Sequence, residues 1–345
     1  MFGCPVDLLS FSRTAVPTNG KDRIGLFLYL GSMDDLEVRE LRYFVAVAEE
    51  LNFSRAAERL GIAQPPLSRA VRVLERRLGV ALFQRDTRRV TLTPAGQAMF
   101  EAAPQALDAM SAVTRRAQRA GSATPGLVVT AKPGIASGLL QQIADAYRAL
   151  PGSIPVQIAV SGYRAQAQMV RDGRADIALL SSPYDEAGLD SEPLTSESRV
   201  AALPAGHPLA RRGVLRCRDL RGEPMPHWAG TTAGERLYWA GLDRDVPDQL
   251  ALAHQLDATT QGPVVNDGTE LIEVVGLGQA IALIPHSLAE HHPRPDIAYR
   301  PVADASPYTI AIAWPEGARA PSIASFVRTA IDVVSSGEHA FRQTS

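Results

Sequence analysis

Two glycines, Gly61 and Gly79, each close an apolar-periodic stretch, and the second stretch opens on Gln64-Pro65-Pro66. Glycine ends helices because it accepts left-handed backbone, and proline is tolerated in a helix's first turn, where its missing N–H is not needed. The spacing predicts a short helix over Arg55–Leu60 behind Ser54 and a tight turn at Ile62-Ala63. A second helix follows from Gln64 to Leu78, burying Leu67, Ala70, Val71, Leu74 and Leu78. Two short helices joined by so small a turn make a helix-turn-helix. A helix from Leu36, with Leu41, Phe44, Val45, Val47 and Ala48 on one face and Asp34 or Asp35 as its cap, supplies the rest of that core.

Charge narrows the purpose of this unit. The 345-residue chain has a formal net charge of -2, yet Leu51–Thr93 holds nine arginines against Glu58, Glu75 and Asp86, a net of +6. A basic segment in an otherwise acidic chain points to a polyanionic partner. Leu82–Asp86 and Arg88–Leu92 read as two short strands with a basic tip, a wing beside the helices. Thr93 then caps a helix with Pro94 in its first position. Along that helix Phe100, Ala103, Leu107, Met110, Thr114 and Ala117 recur at three- and four-residue intervals, the seam of a two-helix coiled coil. Pro104 within it should bend it.

After Gly121-Ser-Ala-Thr-Pro-Gly126, a linker by composition, the texture becomes β runs alternating with helices. Strands are expected at Leu127–Ala131, Val156–Val160, Asp176–Leu180, Ala280–Ile284 and Thr309–Trp314. Helices are expected around Ser137–Leu150, Ala165–Gly173, Glu270–Val275 and Pro321–Val334. Strands separated this way argue for βαβ units and a mainly parallel sheet.

Phe53-Ser-Arg-Ala-Ala57, Gly61 to Ser68, Leu74-Glu75, Leu78-Gly79-Val80, Leu82-Phe83 and Leu92-Thr-Pro-Ala-Gly96, in this order and spacing, resemble the N-terminal signature of LysR-type transcription regulators. Gly206-His-Pro-Leu-Ala210 and Gly276-Leu-Gly278 through Pro285 resemble that family's effector domain, so the likeness runs from about Leu36 to Val334. It implies an α plus α/β chain: a winged helix-turn-helix, a long linker helix, and a two-lobed effector domain like a periplasmic binding protein. The expected boundaries are 1–33 for a disordered extension, with Met33 as the natural start, 34–93 for the head, 94–122 for the linker and 123–336 for the effector domain. Lobe I takes 123–190 and 300–336, and lobe II takes 191–299. The implied activity is promoter recognition by a cytoplasmic regulator controlled by a small-molecule effector.

A recognition helix presents its N-terminal residues to base edges in the major groove. Here these are Gln64, Pro65, Ser68, Arg69 and Arg72; Gln pairs with adenine, Arg with guanine, and Pro65 meets a thymine methyl. Ser54 at a helix N-terminus suits a phosphate, and Arg85, Arg88 and Arg89 at the wing suit backbone or minor groove. Each arginine alone could be a solvated surface charge, and Arg76 and Arg77 face solvent or a partner. Phe100, Ala103, Leu107 and Met110 imply a homodimer, or else packing on the chain's own effector domain; the resemblance implies a homotetramer.

Ligands of open α/β sheets lie beyond strand C-termini. That rule selects Lys132 and Ser137 after one strand, Ser161 and Gly162 after the next, and Asp267 and Thr269 before a helix, with Thr231 from the second lobe. Lys132 and Lys21 are the two lysines in a chain that otherwise uses arginine. A lysine at a cleft-facing strand end suggests an anionic effector such as a carboxylate; the other reading is an exposed surface lysine.

No nucleophile elbow, phosphate-binding glycine loop or Cys-x-x-Cys pair is present, and Gly276-x-Gly278 lacks the third glycine of a dinucleotide site. His286, His291 and His292 sit in a proline-rich connection and read as solvated rather than metal-binding. No cofactor, metal or enzymatic activity is expected. Cys4 and Cys217 cannot form a disulfide framework; Arg216 and Arg218 could activate Cys217, though a structural thiol is the simpler reading. No run reaches the ~20 apolar residues of a membrane span. The rival is a solute-binding or transport protein of the same two-lobed fold, which needs an export signal that Ile24–Leu30 only faintly imitates. A second rival is an architectural DNA-binding protein with a vestigial ligand domain.

Overall fold

A computed structural model describes residues 36–86, 89–121, 126–244 and 261–343. The extension, Arg88 at the wing tip and Asp34 and Asp35 lie outside them. The chain divides into two compact units, Met1–Pro104 and Gln105–Ser345.

The first unit is built from α1 (Val38–Glu50), α2 (Phe53–Leu60), α3 (Gln64–Leu78), the hairpin β1 (Phe83–Arg85) with β2 (Val90–Leu92), and the start of α4 (Pro94–Ala120). At α1 the cap is Glu37, and the Glu40 carboxylate accepts the Glu37 N–H at 3.0 Å, in place of the expected aspartates. Asn52 caps α2, accepting from Ser54 N and Arg55 N at 2.9 and 3.1 Å. Gly61, at φ 68°, stops α2, and α3 begins and ends where proline and glycine require. Phe44, Val47, Ala57, Leu67, Val71, Leu74 and Leu82 form the core, with the Phe83 ring 5.4 Å from Phe44 and 5.8 Å from Phe53. Gly96 lies so close to the Leu82 carbonyl that a Cβ there would sit 2.0 Å from the oxygen, so only glycine lets α4 leave the hairpin at this point.

In the second unit the C-terminal part of α4 packs Ala112 against Gly173, and Arg119 donates to the Gly173 carbonyl and to Asp176. Five strands form one sheet: β3 (Leu127–Ala131), β4 (Val156–Val160), β5 (Ile177–Ser181), β6 (Leu189–Glu197) and, late in sequence, β12 (Tyr308–Pro315). Their order is β4-β3-β5-β12-β6. The helices α5 (Ile135–Arg148), α6 (Ala165–Arg171) and, at the end of the chain, α10 (Pro321–Gln343) cover it. The pairs β3/β4 and β3/β5 are parallel, whereas β12 runs antiparallel to β5 and β6.

The second lobe carries β7 (Arg199–Pro204), β8 (Met225–His227), α7 (Ala233–Trp239), β9 (Gln261–Val264) and α8 (Gly268–Gly276). It continues with β10 (Ala282–Pro285), α9 (His286–His291) and β11 (Ile297–Pro301). Its β10-β7-β11 sheet is antiparallel throughout, so the expectation of mainly parallel pairing holds for β3, β4 and β5 and for the short β8/β9 pair but not for this sheet. The alternating βαβ texture hid β6 and β7, which follow one another without an intervening helix. Consequently the first crossover between lobes falls at Ser198 rather than at 191, and the return falls between Pro301 and Tyr308. Arg199 fastens both crossovers. It is buried, stacks 3.9 Å from the Tyr238 ring, and donates to the carbonyls of Ser306 (2.6 Å) and Tyr238 (2.7 Å).

Candidate functional site

In the first unit the sequence placed its arginines together, and the structure sorts them by whether they are already paired. Arg55 and Arg59 bind Glu50 and Glu49, Arg77 binds Glu40, and Arg85 binds Glu75 at 3.0 Å. Arg69 and Arg72 on α3 and Arg89 at the wing are exposed and make no ion pair among the described residues. Gln64 and Pro65 are exposed in the first turn of α3, and the three prolines-and-glutamine positions end in Pro66, also exposed. Arg76 lies one turn beyond Arg72, exposed on the same face.

Two expected contacts already have partners within the head. Ser68 is buried at 8% exposure, and the Arg85 guanidinium lies 3.5 Å from its hydroxyl while stacking 4.6 Å from the Phe53 ring centre. Arg85 is thus a brace between wing and helices, with Glu75 also accepting from Leu82 N and Phe83 N at 3.0 and 3.1 Å. Ser54 is exposed, but the N–H groups expected to help it are taken by Asn52, which leaves its hydroxyl. On α4, Ala103 is buried, Phe100 and Leu107 are half-buried, and Met110 and Val113 are exposed at 48% and 62%. Ala112 shows that part of this helix does pack on its own effector domain.

The second site lies between the lobes of the second unit. Lys132, Pro133 and Gly134 after β3, and Val160 at the end of β4 with Ser161, Gly162 and Tyr163 after it, form one wall of a cavity of about 460 Å³. Trp228, Trp239, Asn266–Gly268, Leu271 and the Ile284–Leu288 region form the other, with Tyr308 beside the crossover. Of the expected residues the fold brings together Lys132, Ser161, Gly162 and Asp267. Thr231 is buried with its hydroxyl on the Trp228 carbonyl at 3.0 Å, and Thr269 is exposed on α8; neither lines the cavity. Ser137 falls in the first turn of α5, and its side chain lies outside the described residues. Asp267 caps α8, accepting from Glu270 N at 2.9 Å.

Sequence reasoning missed the aromatic wall. Tyr163 stacks on Trp228 at 4.5 Å, Trp228 meets Trp239 at 5.3 Å, and Trp239 meets Tyr308 at 6.4 Å. The signal available was that two of three tryptophans, in a chain with only 6% aromatic residues, lie in the second-lobe insertion. Tyr163 and its neighbour also tie the lobes together. The Tyr163 hydroxyl accepts from Trp239 Nε1 at 3.1 Å, and Arg164 binds Glu235 at 2.8 Å and donates to the Gly230 carbonyl at 2.6 Å.

A smaller chamber of about 220 Å³ shares Lys132 and Tyr163 with this cavity and is lined by Arg164, Arg171, Asp185 and Glu235. Arg171 binds Asp185 at 2.8 Å, as Arg164 binds Glu235. Lys132 makes no hydrogen bond or ion pair among the described residues; its Nζ lies 5.3 Å from the Tyr308 ring centre and 5.7 Å from that of Tyr163. Desolvation lowers its pKa to about 8. The opposite holds for Cys217, which burial and then Asp304 push up to about 11, so the flanking arginines do not activate it. Among the described residues no group of three or more His, Cys, Asp or Glu side chains could hold a metal ion, and no helix is long and apolar enough to cross a membrane.

Residues 38–97 match the bacterial regulatory helix-turn-helix protein, lysR family, and residues 120–335 match the LysR substrate binding domain. The chain is 34% identical to the HTH-type transcriptional regulator AlsR of Bacillus subtilis, over 77% of this chain and 85% of that one. It is 29% identical to the Hca operon transcriptional activator HcaR of Escherichia coli, over 85% and 96%. CbnR, a LysR family transcriptional regulator, shares the fold with a TM-score of 0.51 at 22% identity, covering 87% of this chain and 99% of that one. A transport protein finds no support beside matches that take in the DNA-binding head. With a helix-turn-helix head and a two-lobed effector domain both matched, the chain belongs to the LysR family of transcription regulators.

Proposed function

We propose that this regulator reads its operator through Gln64, Pro65, Arg69 and Arg72. Ser54, Arg88 and Arg89 hold the phosphate backbone, and a carboxylate effector with Lys132 as its counter-ion acts as the switch. The observation that carries the effector reading is the contrast among three cations around one pair of chambers. Arg164 and Arg171 are paired with carboxylates and Lys132 is not. A desolvated ammonium without a counter-ion is strongly stabilised by an incoming anion, because the low-dielectric surroundings that penalise the charge also strengthen its attraction. Asp267 on the far wall suits a hydroxyl or amine on the same ligand, while its Oδ1 caps α8.

The effector acts by favouring one lobe arrangement over another, since a ligand moves an equilibrium only through its difference in affinity. Lobe closure is set by contacts that flank the ligand, the Tyr163–Trp228 stack and the Arg164–Glu235 pair. On α4 the exposed Met110 and Val113, with Phe100, Ala103 and Leu107, form the surface through which two copies pair; a tetramer follows if two such dimers join through their effector domains. The regulator works in the cytoplasm, where promoters are.

The test is a mobility-shift titration on the DNA upstream of the protein's own gene against a scrambled duplex at physiological salt. Preferential binding is expected, and its footprint then serves as the assay for carboxylate effectors. Absence of binding to either duplex at low salt overturns the assignment of the Ser54–Arg89 face.

A further inference from the structure

We propose that the effector is an aryl carboxylate, its carboxylate at Lys132 and its ring on the wall made by Trp228, Trp239 and Tyr308. This rests on the reading of Lys132 as an anion's counter-ion and adds the chemistry of the rest of the ligand.

The two chambers differ in a way that fixes the ligand's orientation. Lys132 stands at their junction. The smaller one is polar, and its own cations are already satisfied, so it offers an acid no second counter-ion. The larger one is walled by four rings in continuous contact, from Tyr163 through Trp228 and Trp239 to Tyr308, and closed by Val160, Leu271, Ile284 and Leu288. An acid anchored at Lys132 therefore projects its body into this chamber. A short aliphatic acid leaves most of the chamber unfilled. An aryl group fills it against the rings that line it and gains from ring–ring geometry beyond what its area alone contributes. The cavity of about 460 Å³ is at the small end of ligand sites, which selects a one- or two-ring acid.

The wall is also unsaturated. Trp228 Nε1 is buried and has no acceptor among the described residues, while Trp239 Nε1 is bound to Tyr163.

The experiment uses the full chain and matched acids that differ only in ring saturation: benzoate with cyclohexanecarboxylate, phenylacetate with cyclohexylacetate, and 3-phenylpropanoate with 3-cyclohexylpropanoate. Binding is followed by calorimetry and by tryptophan fluorescence, to which Trp228 and Trp239 respond while Trp314, on β12, does not line the cavity. At least one aryl acid is expected to bind with sub-millimolar affinity, about tenfold more tightly than its saturated partner, and to change the fluorescence. Equal or tighter binding of the cyclohexyl member in every pair overturns the aryl proposal while leaving the carboxylate reading intact. Binding of benzamide as tight as benzoate, with the aryl preference kept, overturns the carboxylate reading instead. Failure of all six acids to bind overturns the proposal.

Discussion

Among the described residues, the head and the effector domain each leave cations without carboxylate partners, but under opposite physical conditions. On α3 and the wing, Arg69, Arg72 and Arg89 extend into water, where an unpaired charge costs little and waits for a polyanion. Lys132 is held between aromatic rings where its charge is disfavoured enough to lower its pKa to about 8. The first arrangement suits a partner that arrives as a long charged surface and leaves with salt. The second suits a small anion recognised in an aromatic-walled cavity. A cation's environment, more than its presence, tells which kind of ligand it serves.

The largest expected effect breaks this contrast directly. Lys132→Met removes a half-buried, desolvated ammonium that has no hydrogen-bond or ion-pair partner among the described residues, so the ligand-free effector domain should gain up to about 3 kcal/mol at pH 7, taking 1.36 kcal/mol per pKa unit. The sign with pH follows from linkage. The folded-state pKa lies below the unfolded value of 10.5, so between about pH 8 and 10.5 the unfolded chain holds more protons and wild-type stability rises. The gap between variant and wild type should therefore shrink by about 2 kcal/mol at pH 9.5. Urea unfolding followed by tryptophan fluorescence measures this in the effector domain alone, because Trp228, Trp239 and Trp314 all lie there.

Arg72→Ala comes next. It should cost about 1–3 kcal/mol at one base pair of the operator and relax preference there, read by competition among single-base operator variants. Arg89→Ala should instead weaken specific and random DNA alike and flatten the slope of log affinity against log salt by about 0.9. If both variants lose the same factor on both duplexes, the separation between reading and holding is wrong. Arg85→Ala should lower the stability of the head by about 1–2 kcal/mol, since it removes the Glu75 pair and the Phe53 contact, with thermal unfolding as the measure. The smallest effect is expected from Arg59→Ala. Its pair with Glu49 is half exposed, and both stability and operator affinity should change by less than about 0.5 kcal/mol.

The head was nearly all legible in sequence, because its determinants are local. Proline at 65 and 66 and glycine at 61 and 79 act on the backbone next to them, and α3 starts and stops accordingly. What local signals could not show was pairing. Nine arginines look alike in a sequence, and only the fold reveals that Glu75 claims Arg85 while Arg69 and Arg72 have no ion pair among the described residues. In the effector domain the strand ends gave Lys132, Ser161, Gly162 and Asp267, since side chains at those points face a crevice wherever the topology is α/β. Trp228, Trp239 and Tyr308 come from an insertion and a late strand, and nothing in their immediate neighbours indicates which rings will meet. The crossover at Ser198 was misplaced for the same reason: β6 and β7 are consecutive strands, divided between two sheets by long-range pairing alone.

The most direct test of Lys132 as the effector's counter-ion is the affinity for benzoate, or for the tightest acid of the matched set, between pH 6.5 and 9.5. The other charged and titratable groups around the two chambers are Arg164 and Arg171, paired with Glu235 and Asp185, then Asp267, and Tyr163, Tyr184 and Tyr308, whose pKa burial raises. Since the unliganded ammonium loses its proton at about pH 8, affinity should be nearly constant below pH 7 and fall about tenfold per unit above 8. An affinity that stays level to pH 9.5 would contradict the account, because the acid would then bind without the charge of Lys132.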